Sequence, residues 1–275
     1  MSPQNSRIGF ALVPAMVVPF FASMLYFVVL SESRLAPVIY VCAKLFILVW
    51  PITCAYFVPD GRLPKLGGDV KRYLRALSAG AVLGIAILIS MFALMQTPLG
   101  EIVTANADGI ESKARQFGVL EHYWLFALFL SVAHSLIEEH CWRWFVFGHL
   151  KKVLAIWHAH IIAAISFAAH HVVVTTQFFG VSWGLLPGGC VGVAGIMWTL
   201  MYDRQKTLAG AWVCHLIVDL GIMAVGYRIL FGSSPDSVGG GGFSHRMHPP
   251  GVIFGRFETS LRNCFALAGG THLPV

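Results

Sequence analysis

Residues 135–150, SLIEEHCWRWFVFGHL, place two adjacent glutamates and an arginine within an otherwise apolar run. An ionisable side chain inside a membrane costs a few kcal/mol or more, so such residues are usually paired, turned toward a cavity or used in chemistry. Glu139 and Arg143 are four residues apart, so on a helix they share one face and can form an ion pair. Glu138 is rotated from that face by about 100° and is left without this partner. A carboxylate placed in this way suits proton transfer, although both glutamates could also serve only to hold the helix.

Two further apolar runs each carry a polar cluster. The segment SFAAHHVVV, residues 166–174, contains His170 and His171, and the segment WVCHLIVDL, residues 212–220, contains His215 and Asp219. A buried histidine is often only a satisfied polar residue. A histidine and an aspartate four residues apart can likewise be a simple hydrogen-bonded pair. Each cluster taken alone therefore has a purely structural explanation.

The occurrence of three clusters on three separate runs favours one shared site, because facing helices of a bundle build sites in this way. A carboxylate base, a histidine to orient water, and a second histidine with a polar neighbour to stabilise an oxyanion suffice for hydrolysis. Two histidines and a glutamate are also a known catalytic zinc set, although the sequence has no HExxH motif of the zincin type. The residues alone leave a hydrolase and a proton-coupled transporter open.

The composition predicts the elements that must position these clusters. The chain is 57% hydrophobic and 12% charged, against about 25% charged in an ordinary soluble domain. Seven apolar runs reach or exceed the roughly 17–25 residues that a spanning helix needs, and they lie near 8–30, 36–58, 76–97, 122–150, 155–177, 181–201 and 208–231. We therefore predict an all-α, polytopic membrane helix bundle with seven transmembrane helices, or eight if part of the tail inserts.

The expected organisation is one transmembrane domain over residues 1–231, with a motif-bearing core at about 120–225. The tail, residues 232–275, is rich in glycine and proline, and we expect it to be flexible. The first three runs hold almost no ionisable residues, which is typical of a lipid-facing or scaffolding role. The pairs Gly80 with Gly84 and Gly188 with Gly192 have the small-xxx-small spacing that allows close helix packing.

The distribution of charge predicts the orientation of the chain. The formal net charge is +6, but the basic residues are not gathered on a face with stacking aromatics, which argues against nucleic-acid binding. They concentrate in the loops 59–75, 151–152 and 203–206, which lie on one side if the helices alternate. The positive-inside rule then places the amino terminus in the cytoplasm.

Depth in the membrane is the main test of a single site. Glu138 lies about 13 residues, or roughly 20 Å, from the cytoplasmic end of its run. His171 lies at a comparable depth, whereas His215 is only about seven residues from the cytoplasmic end of its own run. One shared site thus requires tilted or broken helices, which membrane proteins tolerate around a water-filled cavity.

The three clusters resemble the pattern of the CPBP family of intramembrane proteases, which includes type II CAAX prenyl endopeptidases and bacteriocin-immunity-associated membrane proteins. That family is marked by the motifs EExxxR, FxxxH, and HxxxN or HxxxD, in this order on successive helices. In this sequence the motifs are Glu138-Glu139 with Arg143, Phe167 with His171, and His215 with Asp219. The resemblance covers about residues 120–225.

The resemblance implies a glutamate-dependent endopeptidase with its site inside the membrane. Glu138 would activate a water molecule, and His171 would be its partner on that water. Glu139 and Arg143 would orient the site. The neighbouring His170 would be a spare histidine that packs or binds water.

The resemblance also implies that His215 and Asp219 bind the oxyanion. Asp219 stands where many members of the family have asparagine, and an ionised aspartate cannot donate a hydrogen bond to an oxyanion. Either Asp219 is protonated, or it orients and charges His215 in the manner of a carboxylate behind a catalytic histidine.

The remaining expectations concern cofactors, partners and rival functions. No cofactor is favoured, zinc is the alternative, and metal ligands stay undetermined. The expected partners are the lipid bilayer and a peptide or protein substrate, which could be lipidated or embedded in the membrane. The active site is expected to open to the cytoplasm. A non-catalytic immunity or partner-binding protein is the first rival. A proton-coupled transporter is less favoured, because the sequence has no internal repeat.

Overall fold

A computed structural model of the chain describes residues 3–58 and 69–232. All regular structure in these residues is helical, and six helical stretches are long and apolar enough to cross a membrane. They are Ser6–Val29, Ala36–Ala55, Val70–Leu94, Leu120–Val153, Ile156–Gln205 and Ala209–Phe231. The prediction of an all-α membrane helix bundle is confirmed. Apart from Gly232, the predicted tail lies outside the described residues, as does any eighth helix within it.

The first half of the chain contributes three long helices and two short ones. Helix α1, Pro3–Met24, continues into a π-helical turn, Leu25–Val29, and is followed by α2, Ala36–Ala55, and α3, Val70–Leu94. Two short helices, α4, Pro98–Ala105, and α5, Ala107–Gln116, follow α3. Side-chain oxygens fix the starts of two of these helices, because Asp69 accepts a hydrogen bond from the backbone of Lys71 and Thr97 accepts one from Leu99.

The stretch Leu120–Val153, which we call the motif helix, changes its winding several times. After a short 3₁₀ turn, Leu120–His122, it consists of α6, Tyr123–Leu128, α7, Ser135–Glu139, and α8, Gly148–Val153. Two π-helical segments, Phe129–His134 and His140–Phe147, join them. Such π segments occur frequently at functional sites. Here they flank α7, the single turn that carries both glutamates.

Helix α9, Ile156–Gln205, reverses its direction at Gly180. The backbone of Gly180 has a φ of 72°, in the left-handed region that favours glycine. The two arms, residues 156–179 and 181–205, pack side by side: Thr175 donates a hydrogen bond to the carbonyl of Gly184 over 2.7 Å, and His160 Nδ1 lies 2.8 Å from Thr199 Oγ1. The runs predicted at 155–177 and 181–201 therefore lie in the two arms of one helical hairpin. Because both arms belong to one continuous helical stretch, the described residues contain six such stretches, whereas seven helices were predicted.

Glycines allow the closest helix contacts, as their spacing predicts. In the α9 hairpin, Gly188 lies against Val172 and Gly192 against Ala168. Helix α10, Ala209–Phe231, lies along α3, where a Cβ atom on Gly80 would collide with the backbone of Gly210. These contacts fix α9 and α10, which carry the second and third sequence clusters.

The main apolar core lies beside the motif helix. Buried aromatic residues of the second π segment pack there with aromatics from both arms of α9, and they are Trp142, Phe145, Phe147, Phe167 and Trp198. Residues of α1, including Ile8 and Leu12, also belong to this cluster. The glutamates of α7 are thus held between a rigid core and the neighbouring helices.

Candidate active site

Glu138 is the centre of a group of nitrogen atoms from several helices. Its side chain is 1% exposed. Its Oε1 atom lies 3.2 Å from Lys44 Nζ on α2, 3.2 Å from His134 Nε2 one turn earlier on the motif helix, and 3.6 Å from His170 Nε2 on α9. Its Oε2 atom is buried without a hydrogen-bond partner among the described residues and lies 3.9 Å from His215 Nε2 on α10.

Glu139 forms the ion pair that the sequence predicts. Its Oε2 atom lies 3.0 Å from Arg143 Nε, and both side chains are buried. The Arg143 guanidinium also lies over the rings of Phe167 and Trp198, at 4.4 and 5.0 Å from their centroids, where the ring faces attract a cation. Arg143 therefore ties the motif helix to both arms of α9.

His215 is held on two sides. Its Nδ1 atom lies 2.9 Å from Glu139 Oε1 and donates a hydrogen bond to that carboxylate. Its ring stacks on Trp198 with centroids 4.4 Å apart. These contacts direct Nε2 toward Glu138, and the same Nε2 atom lies 3.7 Å from Asp219 Oδ1.

Both histidines of α9 reach the neighbourhood of Glu138. His171 Nδ1 donates a hydrogen bond to the Phe167 carbonyl over 3.0 Å, which leaves Nε2 as the free nitrogen. His170 stacks on Trp142 and faces Glu138. One ligand atom each from Glu138, His170 and His171 lie within 4.8 Å of one another.

The structure therefore brings all six predicted site residues into one cluster, and they are Glu138, Glu139, Arg143, His171, His215 and Asp219. These residues lie at different distances from the ends of their apolar runs, but the fold brings them together. His170, which we expected to be a spare residue, also approaches the Glu138 carboxylate. The roles that the family resemblance implies for these residues stay predictions.

Residues 120–221 match the family model described as "Type II CAAX prenyl endopeptidase Rce1-like". We refer to the matched residues, 120–221, as the Rce1-like domain. The comparison with curated proteins gives no match, and the comparison with solved structures gives none. The family is a protease family, which supports an endopeptidase that acts on a peptide or protein. Together with the six apolar helical stretches, the match indicates an integral membrane protein.

The Rce1-like domain contains the six predicted site residues, but the site extends beyond it. Lys44 lies on α2, outside the matched residues, and our expectation that the first three helices serve only as scaffold or lipid contact did not include it. The sequence did hold a signal, because Lys44 is the only charged residue in Ala36–Ala55. His134 was missed as well, although its position four residues before Glu138 places it on the same helix face.

A small cavity reaches Glu138 between the Rce1-like domain and the first two helices. Its lining includes Tyr26 of the first stretch, Lys44 and Ile47 of α2, and Trp142 and His170 of the Rce1-like domain. The volume open to the centre of a water molecule is about 10 Å³, which is room for roughly one water. The carboxylate is therefore buried beside a space of the size that a reacting water needs.

Proposed function

We propose that the protein is an intramembrane endopeptidase in which Glu138 activates a water molecule to hydrolyse a peptide bond. The observation that carries this proposal is the Oε2 atom of Glu138, which is buried without a partner among the described residues and faces the Nε2 atom of His215. An orphaned carboxylate oxygen is costly in a buried site unless it has a role or binds a water. The match of this segment to a protease family gives that role a chemical class.

The reaction would begin with a water molecule beside Glu138. Oε2 of Glu138 would accept a proton from the water as the oxygen attacks the peptide carbonyl. His171 Nε2 would hold the same water, because its Nδ1 proton is committed to the Phe167 carbonyl. Glu138 would then return the proton to the leaving amine, so that one residue serves as base and then as acid.

His215 would stabilise the oxyanion that forms on the carbonyl. Three carboxylates, Glu138, Glu139 and Asp219, share the site with two fixed cations, Lys44 and Arg143. A protonated His215 would balance the remaining negative charge and present an Nε2 proton to the oxyanion. Asp219 Oδ1, 3.7 Å from that nitrogen, supports the role of orienting and charging His215.

The donor set also fits a zinc ion, which we treat as the alternative. Glu138, His170 and His171 would hold the ion, since two imidazoles and a carboxylate are common zinc ligands. Bound zinc would supply a Lewis acid that polarises water or the carbonyl. Lys44 argues for the metal-free mechanism, because its ammonium lies 3.2 Å from Glu138 Oε1 and would repel a divalent cation held by the same carboxylate.

We also propose the kind of substrate and the orientation of the protein in the membrane. The substrate would be a peptide or protein segment that reaches the site from the cytoplasm, and a lipid group on it would lie in the bilayer beside the helices. The amino terminus and the opening of the site would face the cytoplasm, because the positive-inside rule assigns the basic loops to that side.

The decisive experiment compares the purified protein with its Glu138→Gln variant in detergent. Each is tested on matched prenylated and unprenylated peptides, with and without a chelator. We expect cleavage by the wild type that the chelator does not reduce, and a loss of about 100-fold or more in Glu138→Gln, which is the scale of a general base.

The possible outcomes separate the mechanisms. Cleavage that a chelator abolishes and zinc restores would replace the glutamate mechanism by the zinc alternative. Cleavage that persists in Glu138→Gln would reject Glu138 as the base. A folded wild type that cleaves no peptide of the set would favour the non-catalytic, partner-binding function.

A further inference from the structure

Lys44 is an isolated charge in an apolar helix, and it is aimed at the site. Its Nζ atom donates a hydrogen bond of 3.2 Å to Glu138 Oε1, although 94 residues separate the two in the sequence. The same ammonium lies 5.3 Å from the ring centroid of Tyr40, where the ring face attracts the cation. A lysine in a membrane helix usually extends toward the interface, whereas Lys44 points into the bundle.

The surroundings of the Glu138 carboxylate are asymmetric. Three nitrogen groups, those of Lys44, His134 and His170, approach Oε1 within 3.6 Å. Among them Lys44 donates a hydrogen bond to Oε1, whereas His134 Nε2 makes none with any described residue. The other oxygen, Oε2, has no hydrogen-bond partner among the residues that the structure describes. The two oxygens of one side chain are therefore in different chemical situations.

We infer that Lys44 is a positioning residue that anchors Glu138 through Oε1 and thereby leaves Oε2 as the atom that accepts the proton. This inference rests on the proposed peptidase function. A hydrogen bond between an ammonium and a carboxylate is stronger than a neutral one, so it can fix the rotation of the carboxyl group. With Oε1 engaged by Lys44, Oε2 is the oxygen left to accept a proton from a water, and it lies 3.9 Å from His215 Nε2.

The inference extends the active site to a helix outside the Rce1-like domain. Lys44 also lines the small cavity beside Glu138, so the cavity has the cation on one wall and the base on another. A role for Lys44 in orienting Glu138 predicts that its loss misplaces the base. Misplacement by about 1 Å can lower a rate by about 100-fold while the affinity for substrate changes little.

The test measures kcat and KM for Lys44→Met and Lys44→Arg on a peptide that the wild type cleaves. Methionine keeps most of the length of the side chain and removes the ammonium, and arginine keeps a cation. We expect Lys44→Met to lower kcat by about 100-fold with KM within about threefold of the wild type. Lys44→Arg should recover at least about a tenth of the wild-type kcat. Lys151→Met removes a lysine that pairs with Asp203 away from the site, and it should leave both parameters unchanged.

Two results would overturn the inference: an unchanged kcat in Lys44→Met, or a folded Lys44→Arg protein that is as inactive as Lys44→Met. A stability cycle covers the case in which Lys44→Met does not fold. If the two groups pair, the double variant Lys44→Met with Glu138→Gln has a higher unfolding temperature than Lys44→Met alone. If the two substitutions instead lower the unfolding temperature additively, the inference is also overturned. A wild type that cleaves no peptide would instead count against the proposed function, while the cycle would still decide whether Lys44 pairs with Glu138.

Discussion

At the scale of residues, the site is held by buried ion pairs. Arg143 is 1% exposed and faces Glu139 at 3.0 Å. Glu139 in turn accepts the hydrogen bond that orients His215. Removing one member of a buried pair leaves a charge without compensation, and this costs far more than the pair itself contributes. Arg143 should therefore act on stability and, through Glu139, on the orientation of His215.

Arg143→Met should lower the free energy of unfolding by about 3–5 kcal/mol, because Glu139 would stay buried without its cation. Unfolding in detergent, followed by circular dichroism, measures this loss. Lys151→Met is the matched control, since the pair of Lys151 and Asp203 is 27% exposed on both sides and should contribute about 0–1 kcal/mol. Equal stability of the two variants would contradict a buried ion pair between Glu139 and Arg143.

At the scale of elements, the α9 hairpin brings His170 and His171 to the motif helix. Its arms approach closely because glycines face the opposing arm, while neighbouring glycines face outward. A Cβ atom on Gly188 would lie 3.1 Å from Val172 Cα, whereas one on Gly189 would meet nothing within 4 Å. The two adjacent positions therefore have opposite tolerance for an added methyl group.

Gly188→Ala should destabilise the protein by about 1–3 kcal/mol, because the new methyl group pushes the arms apart. It should also reduce peptidase activity, since the first arm carries two histidines of the site. Gly189→Ala should be neutral or stabilising by about 0.5–1 kcal/mol, because alanine favours a helix over glycine. Thermal unfolding and peptide cleavage of both variants test this contrast, and a loss of similar size in both would reject the hairpin packing.

At the scale of the whole molecule, the hairpin determines on which side of the membrane each helix end lies. If each arm of α9 crosses the membrane, the turn at Gly180 lies on the side opposite to Lys151 and Lys152. The contact between Lys151 and Asp203, at 2.8 Å, places the start of one arm and the end of the other at the same end of the bundle. This arrangement agrees with an orientation in which the basic loops face the cytoplasm.

Cysteine labelling on intact cells tests that orientation. Ser182 and Lys152 both have exposed side chains, one beside the turn and one in α8. A membrane-impermeant maleimide should label Ser182→Cys and should not label Lys152→Cys until the cells are opened, with the unsubstituted protein as background. The reverse pattern would invert the orientation. Labelling of both from outside would show that the hairpin does not separate the two sides.

The sequence by itself determined the features that depend on local periodicity. The apolar runs predict helices, and the four-residue spacing places Glu139 with Arg143 and His215 with Asp219 on shared faces. The three clusters also predict a common site, because ionisable groups in a membrane must be paired or used. Glycine spacing predicts the close contacts, because only a missing side chain lets two backbones approach.

Only the tertiary structure decided which groups meet across helices. A lone lysine in an apolar run can extend to the interface or turn inward, and its choice depends on the rotation and depth of α2 against the motif helix. The same holds for His170 and His171, which both approach Glu138, and for the two oxygens of Glu138. The turn at Gly180 depends on the packing of two arms that are each apolar enough to span alone. Spacing along the chain does not encode such relations, because they arise when separate helices settle against one another.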